Sequence, residues 1–259
     1  MRRVRARRPC AVAHRLHVAR HGLHVAVLTR ASMIVSRTTL LASLAISSCV
    51  STPPPPPHDH AHDEHAPLVH RFDDPARWAK EFDDPGRDTW QKPADVVAAM
   101  KIAPGMVIAD IGAGTGYFEP YLARAVGASG KVFAIDLEPS MVRYLTDRAA
   151  REHLDNVTVK LAAPGSPGLE PSSADRILIV DTWHHIPDRT AYATKLLAAL
   201  RAGGTVTIVD FTLESSHGPP RAHRIAPAQV VAELATGGMK AEIVQVGLPE
   251  QYAVVGQRP

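Results

Sequence analysis

The segment MVIADIGAGTGYF, from Met106 to Phe118, decides the fold of this chain. Its first half, Val107 to Ile111, is an apolar run that predicts a buried strand, and the glycines that follow predict a turn into a helix. A strand, a glycine-rich turn and a helix place backbone N–H groups and the positive end of a helix dipole beside a ligand. The segment therefore predicts a ligand-binding turn at the end of a strand.

The spacing of the glycines narrows the class of ligand. Dinucleotide enzymes use the pattern G-x-G-x-x-G, in which the third glycine packs a helix on a strand under a pyrophosphate. Here Gly112, Gly114 and Gly116 alternate, and Tyr117 stands where the longer spacing needs a glycine. We therefore expect a ligand without a pyrophosphate.

A second strand is predicted from Lys131 to Ile135, and Asp136 follows it, 24 residues after Gly112. An acid at the end of the second strand is well placed to accept hydrogen bonds from both ribose hydroxyls of an adenosine. The two strand ends together favour an adenosine-containing ligand.

Three segments, in this order, resemble motifs of the class I S-adenosylmethionine-dependent methyltransferases, and the likeness covers residues 93–259. They read DIGAGTG from Asp110, AIDLEPSM from Ala134 and LRAGGT from Leu200, where Ala202 replaces the usual proline. The resemblance implies S-adenosylmethionine as the cofactor, with the glycine turn at its methionine part, Asp136 on its ribose, and Leu137 and Met141 beside its adenine. The implied cofactor-binding residues are Asp110, Gly112, Ala113, Gly114, Gly116, Asp136, Leu137 and Met141.

One departure from the family pattern concerns the adenine. The family often carries an acid after strand three that contacts the adenine amino group, whereas this chain reads LAAPG from Leu161 to Gly165. The resemblance then implies that backbone and apolar contacts alone hold the adenine.

Strands alternate with helices in the rest of the domain, which predicts an α/β architecture with helices on both faces of the sheet. We expect a Rossmann-like, doubly wound, seven-stranded sheet, mostly parallel, with a C-terminal antiparallel hairpin. The remaining predicted elements are strands 157–161, 176–180 and 205–211, helices 188–200 and 227–236, and hairpin strands 240–246 and 251–256.

Candidate catalytic residues follow the fourth predicted strand, because ligands of open parallel sheets bind beyond the carboxyl ends of the strands. Methyl transfer needs an aligned donor and acceptor in a dry site, and a hydroxyl or protonated amine acceptor also benefits from a general base. His185 is weakly preferred as that base over His184, and both could instead be structural or cofactor-lining residues. Asp181 could orient a histidine, line the cofactor site or end the strand, and Asp210 has no assigned role. No metal site is expected from the adjacent histidines, since neighbouring side chains diverge.

The charge of the chain is unevenly distributed. Nine of its 29 basic residues precede Cys49 and no acid does, which leaves 20 basic against 26 acidic residues, or about −6, from Cys49 onward. A nucleic-acid partner is therefore not expected. Both cysteines, Cys10 and Cys49, precede the domain, so the domain has no disulfide and no cysteine-based metal site.

A targeting signal is predicted over residues 33–48. The sequence MIVSRTTLLASLAISSC, Met33 to Cys49, has an arginine, an apolar run and small residues before the cysteine. Its last four residues resemble the lipobox of bacterial lipoproteins, which implies lipid attachment at Cys49 and a membrane-anchored protein facing the periplasm or the cell exterior. Residues 1–32 are then upstream translation or a disordered segment. The alternative is an incidental cysteine and a cytoplasmic protein.

Residues 49–67 are predicted to be a linker. Pro53 to Pro57 predict an extended spacer of about 3.1 Å per residue. The histidines and acids from His58 to His65 could bind Zn, Ni or Cu loosely, but a solvated linker is the favoured interpretation. A metal-buffering lipoprotein built around His58 to His70 is a further hypothesis.

A duplicated phrase marks residues 68–92, the predicted N-terminal arm. FDDPAR begins at Phe72 and FDDPGR begins at Phe82. Because an aspartate can cap free N–H groups and proline presets the first helical φ, each copy predicts a short helix, with Trp78 and Trp90 as anchors. The arm is predicted either to cover the binding edge as a lid or to pack on the core.

These features predict an S-adenosylmethionine-dependent methyltransferase that acts on a small-molecule acceptor. No residue pattern in the sequence identifies that acceptor. The alternative is a membrane-tethered, non-catalytic Rossmann-like module that binds the cofactor. A conflict accompanies both hypotheses, because Cys49 indicates export whereas the cofactor is made inside the cell.

Overall fold

The computed structural model describes residues 72–259, which lie within one compact unit, His60–Pro259. The predicted signal, the lipid attachment at Cys49, the proline spacer and the histidine-rich segment lie outside the described residues. No helix within residues 72–259 is long and apolar enough to cross a membrane.

Seven strands and seven α-helices follow one another along the described chain. In order they are α1 (Pro75–Phe82), α2 (Arg87–Gln91), α3 (Pro93–Ala99), β1 (Val107–Ile111), α4 (Glu119–Val126), β2 (Lys131–Asp136), α5 (Pro139–Arg151), β3 (Val157–Leu161), β4 (Ala174–Val180), α6 (Arg189–Ala199), β5 (Leu200–Phe211), α7 (Pro227–Thr236), β6 (Lys240–Val244) and β7 (Gln251–Gln257). Short 3₁₀ turns follow β4, at Trp183–His185, and precede α7, at Arg221–His223.

The strands form one sheet in the order β3-β2-β1-β4-β5-β7-β6. The pairs among β1 to β5 are parallel, and β7 runs antiparallel to both β5 and β6. This is the predicted mixed, doubly wound architecture, so the fold prediction is confirmed. The strand order reverses between β1 and β4, and open parallel sheets bind ligands at such a switch point.

The core occupies both faces of the sheet because successive side chains of a strand point to opposite faces. In β4, Ile177 and Ile179 pack with Trp183 and Leu196 on one face, while Leu178 packs with other residues on the opposite face. Strands that are buried on both faces read as continuous apolar runs, which explains why the sequence pattern located them well.

Element boundaries differ from the predictions at a few ends. β5 begins at Leu200 rather than residue 205, because Leu200 pairs with Ala174 across an irregularity in the β4–β5 register. β6 ends at Val244 rather than residue 246. Asp188 is the N-cap of α6, and its side chain accepts a hydrogen bond from the Ala191 N–H at 3.0 Å.

The two copies of the duplicated phrase begin their helices differently. In the first copy, the Asp74 carboxylate accepts a hydrogen bond from the Arg77 N–H at 3.1 Å and Pro75 begins α1, as predicted. In the second copy, the carboxylate of Asp84 binds the Gly86 N–H at 2.7 Å, so the turn tightens and α2 begins only at Arg87.

Candidate functional site

Acidic side chains mark the carboxyl ends of the four central parallel strands. Asp110 lies near the end of β1, Asp136 ends β2, Asp181 follows β4 and Asp210 lies near the end of β5. All four side chains are largely removed from solvent. Because parallel strands end at one edge of a sheet, these groups surround the switch point and give it an acidic character.

The glycine turn after β1 has the geometry that the alternating spacing predicts. Gly112, Gly114 and Gly116 all have positive φ, at 77°, 56° and 89°. A Cβ on Gly112 would lie 2.3 Å from Oγ1 of Thr182, so this glycine lets the turn touch the segment after β4. The turn after β1 and the residues after β4 therefore form one continuous site.

Asp136 is fixed by the backbone around it. Its carboxylate accepts hydrogen bonds from the N–H of Gly114 and the N–H of Glu138, both at 2.9 Å. Burial raises the pKa of Asp136, and these N–H groups oppose the rise. A carboxylate offers about four lone-pair sites, so Asp136 retains acceptor capacity for ribose hydroxyls beside the glycine turn.

Exposed apolar side chains lie next to Asp136. Leu137 is 56% exposed and Leu161 is 55% exposed, although both are large apolar residues. Leu161 pairs in register with Asp136 at the end of β3. These side chains offer an apolar surface for adenine where no acid is present. Met141, the other predicted adenine contact, is only 1% exposed and packs inside the domain.

Asp110 forms a buried carboxyl pair with Glu119, the first residue of α4. Asp110 is 3% exposed and Glu119 is fully buried. Neither carboxyl oxygen of Glu119 has a hydrogen-bond partner among residues 72–259, and the negative charge of Asp110 acts on it. Burial raises the pKa of Asp110 to about 7 and that of Glu119 well above its ordinary value.

His184 is held by Asp210 across the ends of β4 and β5. Nδ1 of His184 lies 2.9 Å and 3.0 Å from the two carboxylate oxygens of Asp210, and both side chains are almost completely buried. Burial by itself lowers the pKa of His184, but the hydrogen bond and the charge of Asp210 raise it overall. A histidine that is oriented by a carboxylate through Nδ1 has the arrangement of a general base acting through Nε2.

His185 and Asp181, the other predicted catalytic residues, have different surroundings. The His185 ring lies 4.2 Å from the His184 ring and 5.9 Å, edge-on, from the ring of Phe72. Asp181 accepts a hydrogen bond from Nε2 of Gln251 at 2.5 Å and has a positive φ of 52°. Burial raises the pKa of Asp181 to about 7, and Arg87 opposes the rise. Asp210, rather than Asp181, therefore orients a histidine.

The arm contacts this edge at several points. Phe72, Trp78 and Phe82 form an aromatic cluster with centroid separations of 4.9 to 6.0 Å. The Phe82 ring lies 3.7 Å from the position of a Cβ on Gly114. Asp83 accepts a hydrogen bond from the Thr115 hydroxyl at 3.0 Å. The arm therefore lies against the glycine turn, and Trp90 stacks on His217 further along the edge.

The side chains at this edge of the sheet match the chemical groups of S-adenosylmethionine. The acidic edge suits a sulfonium cation, Asp136 suits ribose hydroxyls, and the exposed leucines suit adenine. The glycines let a ligand approach the backbone closely. Among residues 72–259, no group of three or more His, Cys, Asp or Glu side chains is arranged to hold a metal ion.

Several residues of this edge were not predicted from the sequence. They are Arg87, Gln91, Glu119 and Gln251, together with the role of Asp210 as the partner of His184. The Asp210 role needed the tertiary structure, because the register of Val180 with Val209 sets Asp210 beside Asp181, and only the turn after β4 brings His184 to it. Arg87 and Gln91 bind each other, but their contacts with Asp181 and Gln251 join distant parts of the sequence and carried no local signal.

The comparisons with known proteins agree with the fold. Residues 108–204 match a family model described as a methyltransferase domain. A crystal structure of an S-adenosylmethionine-dependent methyltransferase from Aquifex aeolicus is 28% identical, with a TM-score of 0.67, and the match covers 72% of this chain and 99% of that one.

Curated relatives are similar over shorter stretches. A protein-L-isoaspartate O-methyltransferase of Ignicoccus hospitalis is 29% identical over 44% of this chain and 52% of its own length. A 2-methyl-6-phytyl-1,4-hydroquinone methyltransferase of Synechocystis is 27% identical over 52% of this chain and 43% of its own length. The chain thus spans about half the length of these relatives, and their names give different acceptors. Residues 108–204 thus match a methyltransferase domain, and the similarity to a solved S-adenosylmethionine-dependent methyltransferase supports S-adenosylmethionine as the cofactor.

Proposed function

We propose that this protein transfers a methyl group from S-adenosylmethionine to the oxygen or nitrogen of a small-molecule acceptor. The observation that supports this proposal is the buried His184–Asp210 pair, which lies after β4 beside the glycine turn. The cofactor supplies the methyl group and a sulfur leaving group. The protein therefore needs to align the acceptor, exclude water and accept one proton.

The roles of the residues follow from their contacts. Nε2 of His184 takes the proton that the acceptor loses, and Asp210 stabilises the imidazolium that forms. The four acids at the strand ends, Asp110, Asp136, Asp181 and Asp210, favour a cationic ligand over a neutral one. The aromatic cluster of the arm, Phe72, Trp78 and Phe82, keeps water away from the glycine turn.

The first test is calorimetry with S-adenosylmethionine, followed by transfer of labelled methyl groups to the low-molecular-mass fraction of a cell extract. We expect binding to the wild type, and we expect transfer to fall by about 100-fold or more in His184→Gln, as for loss of a general base. His185→Gln is the matched control. Cofactor binding without methyl transfer to any acceptor would favour the non-catalytic module. No binding at millimolar cofactor would reject both the methyltransferase and the non-catalytic module.

We further propose that the chain is a lipoprotein anchored at Cys49, with the proline spacer holding the domain away from the membrane. Its support is the resemblance of residues 46–49 to a lipobox. Fractionation with lipid labelling, comparing the wild type with Cys49→Ala, tests it. We expect the wild type to carry the lipid label and to be associated with the membrane, and the Cys49→Ala variant to be unlabelled and released. An unlabelled wild type would indicate the cytoplasmic alternative.

A further inference from the structure

Glu233 of α7 is a largely buried acid whose carboxylate accepts hydrogen bonds from three side chains. Nε1 of Trp183 donates to Oε2 at 2.9 Å, and Nε of Arg189 lies 2.9 and 3.0 Å from the two oxygens. Nε2 of Gln229 donates to Oε1 at 3.0 Å. The Glu233 side chain is 13% exposed. A carboxylate can accept all these bonds, whereas a glutamine would turn its own amide N–H groups toward at least one of the donors.

Two of the three donors border His184, the candidate base. Trp183 directly precedes His184 in the 3₁₀ turn after β4 and is fully buried. Arg189 is the first residue of α6, and its Nη1 also donates to the carbonyl of Ile186 at 3.3 Å. Glu233 is therefore tied to both ends of the turn, directly through Trp183 and through Arg189 to Ile186.

The turn itself has few contacts that fix its path. Its backbone makes two hydrogen bonds, from the His185 N–H to the carbonyl of Thr182 at 3.0 Å and from the Ile186 N–H to the carbonyl of Trp183 at 3.2 Å. Hydrogen bonds of 3₁₀ turns have poorer geometry than those of α-helices. A catalytic group needs placement to within about 0.5 Å by the residues that support it. Contacts from outside the turn therefore matter for the position of its side chains.

Glu233 and Asp210 hold different parts of the base. Asp210 contacts the imidazole ring of His184 and orients it through Nδ1. Glu233 contacts Trp183 and Arg189, and these residues set the position of the backbone that carries the ring. A ring that is correctly oriented on a displaced backbone would still present Nε2 in the wrong place.

The charges around the two pairs also act on each other. Asp210 and Asp181 raise the pKa of His184, whereas burial and the charge of Arg189 lower it. Glu233 lies 2.9 Å from Arg189 and so offsets the charge of that arginine.

Tyr252 of β7 lies near the same charges. Burial raises the pKa of its hydroxyl, and the charges of Asp210, Glu233 and Arg189 act on it. The hydroxyl itself donates to the carbonyl of Ile225 at 2.9 Å. The Glu233–Arg189 pair and the His184–Asp210 pair therefore share one buried environment.

We propose that Glu233 is a positioning residue for methyl transfer, which holds both ends of the turn that presents His184 to the acceptor. This inference rests on the proposed function, since it takes His184 as the general base. Glu233 acts through Trp183 and Arg189, and its role requires no contact with the cofactor or the acceptor.

The test compares Glu233→Gln with Asp175→Asn, a matched control at the opposite end of β4. Asp175 is also a largely buried acid, at 22% exposure, and accepts hydrogen bonds from Arg201 and from the Val107 N–H, both at 2.7 Å. We expect Glu233→Gln to reduce the transfer of labelled methyl groups at saturating S-adenosylmethionine by about 10- to 100-fold, as for a misplaced catalytic group. Its Kd for S-adenosylmethionine, measured by calorimetry, should not change. Asp175→Asn should resemble the wild type in both measurements.

Arg189→Gln separates position from protonation. NMR titration should show a lowered pKa of His184 in Glu233→Gln, because the charge of Arg189 is then no longer offset. The same titration should show a raised pKa in Arg189→Gln, because the lowering charge is gone. Transfer is compared at a pH well above the midpoints, where His184 is neutral in every variant. Both variants should then transfer more slowly than the wild type, because both release the turn.

The hydrogen bond to Trp183 has its own readout. The indole N–H resonance of Trp183 should move in Glu233→Gln, because the indole loses a charged acceptor. An unmoved resonance would mean that the contact is absent in solution and would overturn the proposal. Arg189→Gln serves for the activity comparison if Glu233→Gln does not fold.

The remaining outcomes separate this inference from the proposed function. If the wild type transfers methyl groups and Glu233→Gln transfers them equally well, only the positioning role fails. Equal losses of transfer in Glu233→Gln and Asp175→Asn would indicate general destabilisation and would also overturn that role alone. A wild type that binds S-adenosylmethionine and transfers no methyl group would reject the proposed function, and the positioning role with it.

Discussion

At the scale of single residues, the site is defined by acids that are buried without a full set of donors. Glu119 is the clearest case, since it is fully buried and no donor reaches its carboxyl oxygens within the described chain. A structural acid would normally be paired, because an isolated buried charge is costly. Ionisation of a buried carboxyl that has no donor therefore lowers the stability of the folded protein.

Glu119→Gln should therefore stabilise the ligand-free protein at alkaline pH. The raised pKa of Glu119 means that the folded protein binds a proton that the unfolded chain releases, so its stability falls as pH rises from about 4.5 toward the raised pKa. An amide has no such proton to lose. We expect a gain of about 1–3 kcal/mol at pH 8, the usual cost of an unsatisfied buried group, and a smaller gain at pH 5.

Urea unfolding at the two pH values measures this difference. Glu152→Gln, a partly exposed acid that pairs with Arg148, is the control and should show little change with pH. A pH-independent effect of Glu119→Gln would show that Glu119 does not hold a proton in the folded state.

Asp210→Asn should lower the pKa of His184 and reduce methyl transfer. Burial alone lowers the pKa of this histidine, and the Asp210 carboxylate provides the opposing contribution. In the wild type, transfer should rise with pH as His184 loses its proton, with the midpoint above the ordinary histidine value of 6.5. NMR titration of the His184 ring tests the direction without requiring an acceptor. An unchanged titration in Asp210→Asn would mean that the pair is not formed in solution.

At the scale of elements, the glycine turn packs closely against the segment after β4. Its first glycine has a positive φ and also touches the segment after β4. A side chain at Gly112 would destabilise the fold in two ways, by straining the backbone and by clashing with Thr182. The turn can therefore bring β1 and β4 together only because Gly112 has no Cβ.

Gly112→Ala should destabilise the fold by about 2–5 kcal/mol, the sum of left-handed strain and overpacking. Gly165 offers a matched control, because its φ is 70° and nothing lies within 4 Å of an added Cβ. Gly165→Ala should cost only the strain, about 1–2 kcal/mol. Chemical denaturation of both variants separates the two costs, and equal losses would contradict the clash with Thr182.

The elements were predicted to different degrees, for a physical reason. β1, β3 and α7 have the predicted bounds, because their signals are local: apolar runs, glycines and a proline at the helix start. The early start of β5 depends on pairing of Leu200 with Ala174, which is a contact between strands. The helices α1 and α2 start differently because Asp74 binds the third N–H that follows it, whereas Asp84 binds the second. Both aspartates precede a proline, so the Asp-Pro dipeptide does not decide which N–H is bound.

At the scale of the whole molecule, the acids of four separate strands combine into one electrostatic site. Burial raises the pKa values of Asp110 and Asp181 to about 7 each, so the ligand-free site is partly protonated at neutral pH. A cationic ligand favours the ionised carboxylates. Binding of the cofactor is therefore expected to release protons.

The affinity for S-adenosylmethionine should consequently rise with pH. Each group that must ionise weakens binding about tenfold per pH unit below its pKa, so we expect roughly tenfold tighter binding at pH 8 than at pH 6 for each of the two groups. Calorimetry in buffers of different ionisation enthalpy measures the released protons directly. 5′-Methylthioadenosine, which is uncharged at sulfur, should show little pH dependence, and the same pH dependence for both ligands would contradict this account.

The arm shows how the whole molecule completes the site. Gln91 donates a hydrogen bond to Gln251 at 2.5 Å, and Gln251 in turn donates to Asp181, so α2, β7 and the end of β4 form one chain of contacts. The lid hypothesis remains a prediction, and these contacts are what a lid over the cofactor edge would require.

The sequence by itself determined the α/β architecture and the class of cofactor, and it predicts the ligand-binding turn. These features follow from short-range patterns: apolar strands, glycines at positions with positive φ, and acids at strand ends. Only the tertiary structure decided which side chains work together. Asp210 pairs with His184, the charge of Asp110 acts on Glu119, and Arg87 of the arm lies over the ring of Tyr117, which follows the glycine turn. Each of these contacts joins residues on different elements, and the packing of the sheet and its helices sets such distances, whereas local sequence does not.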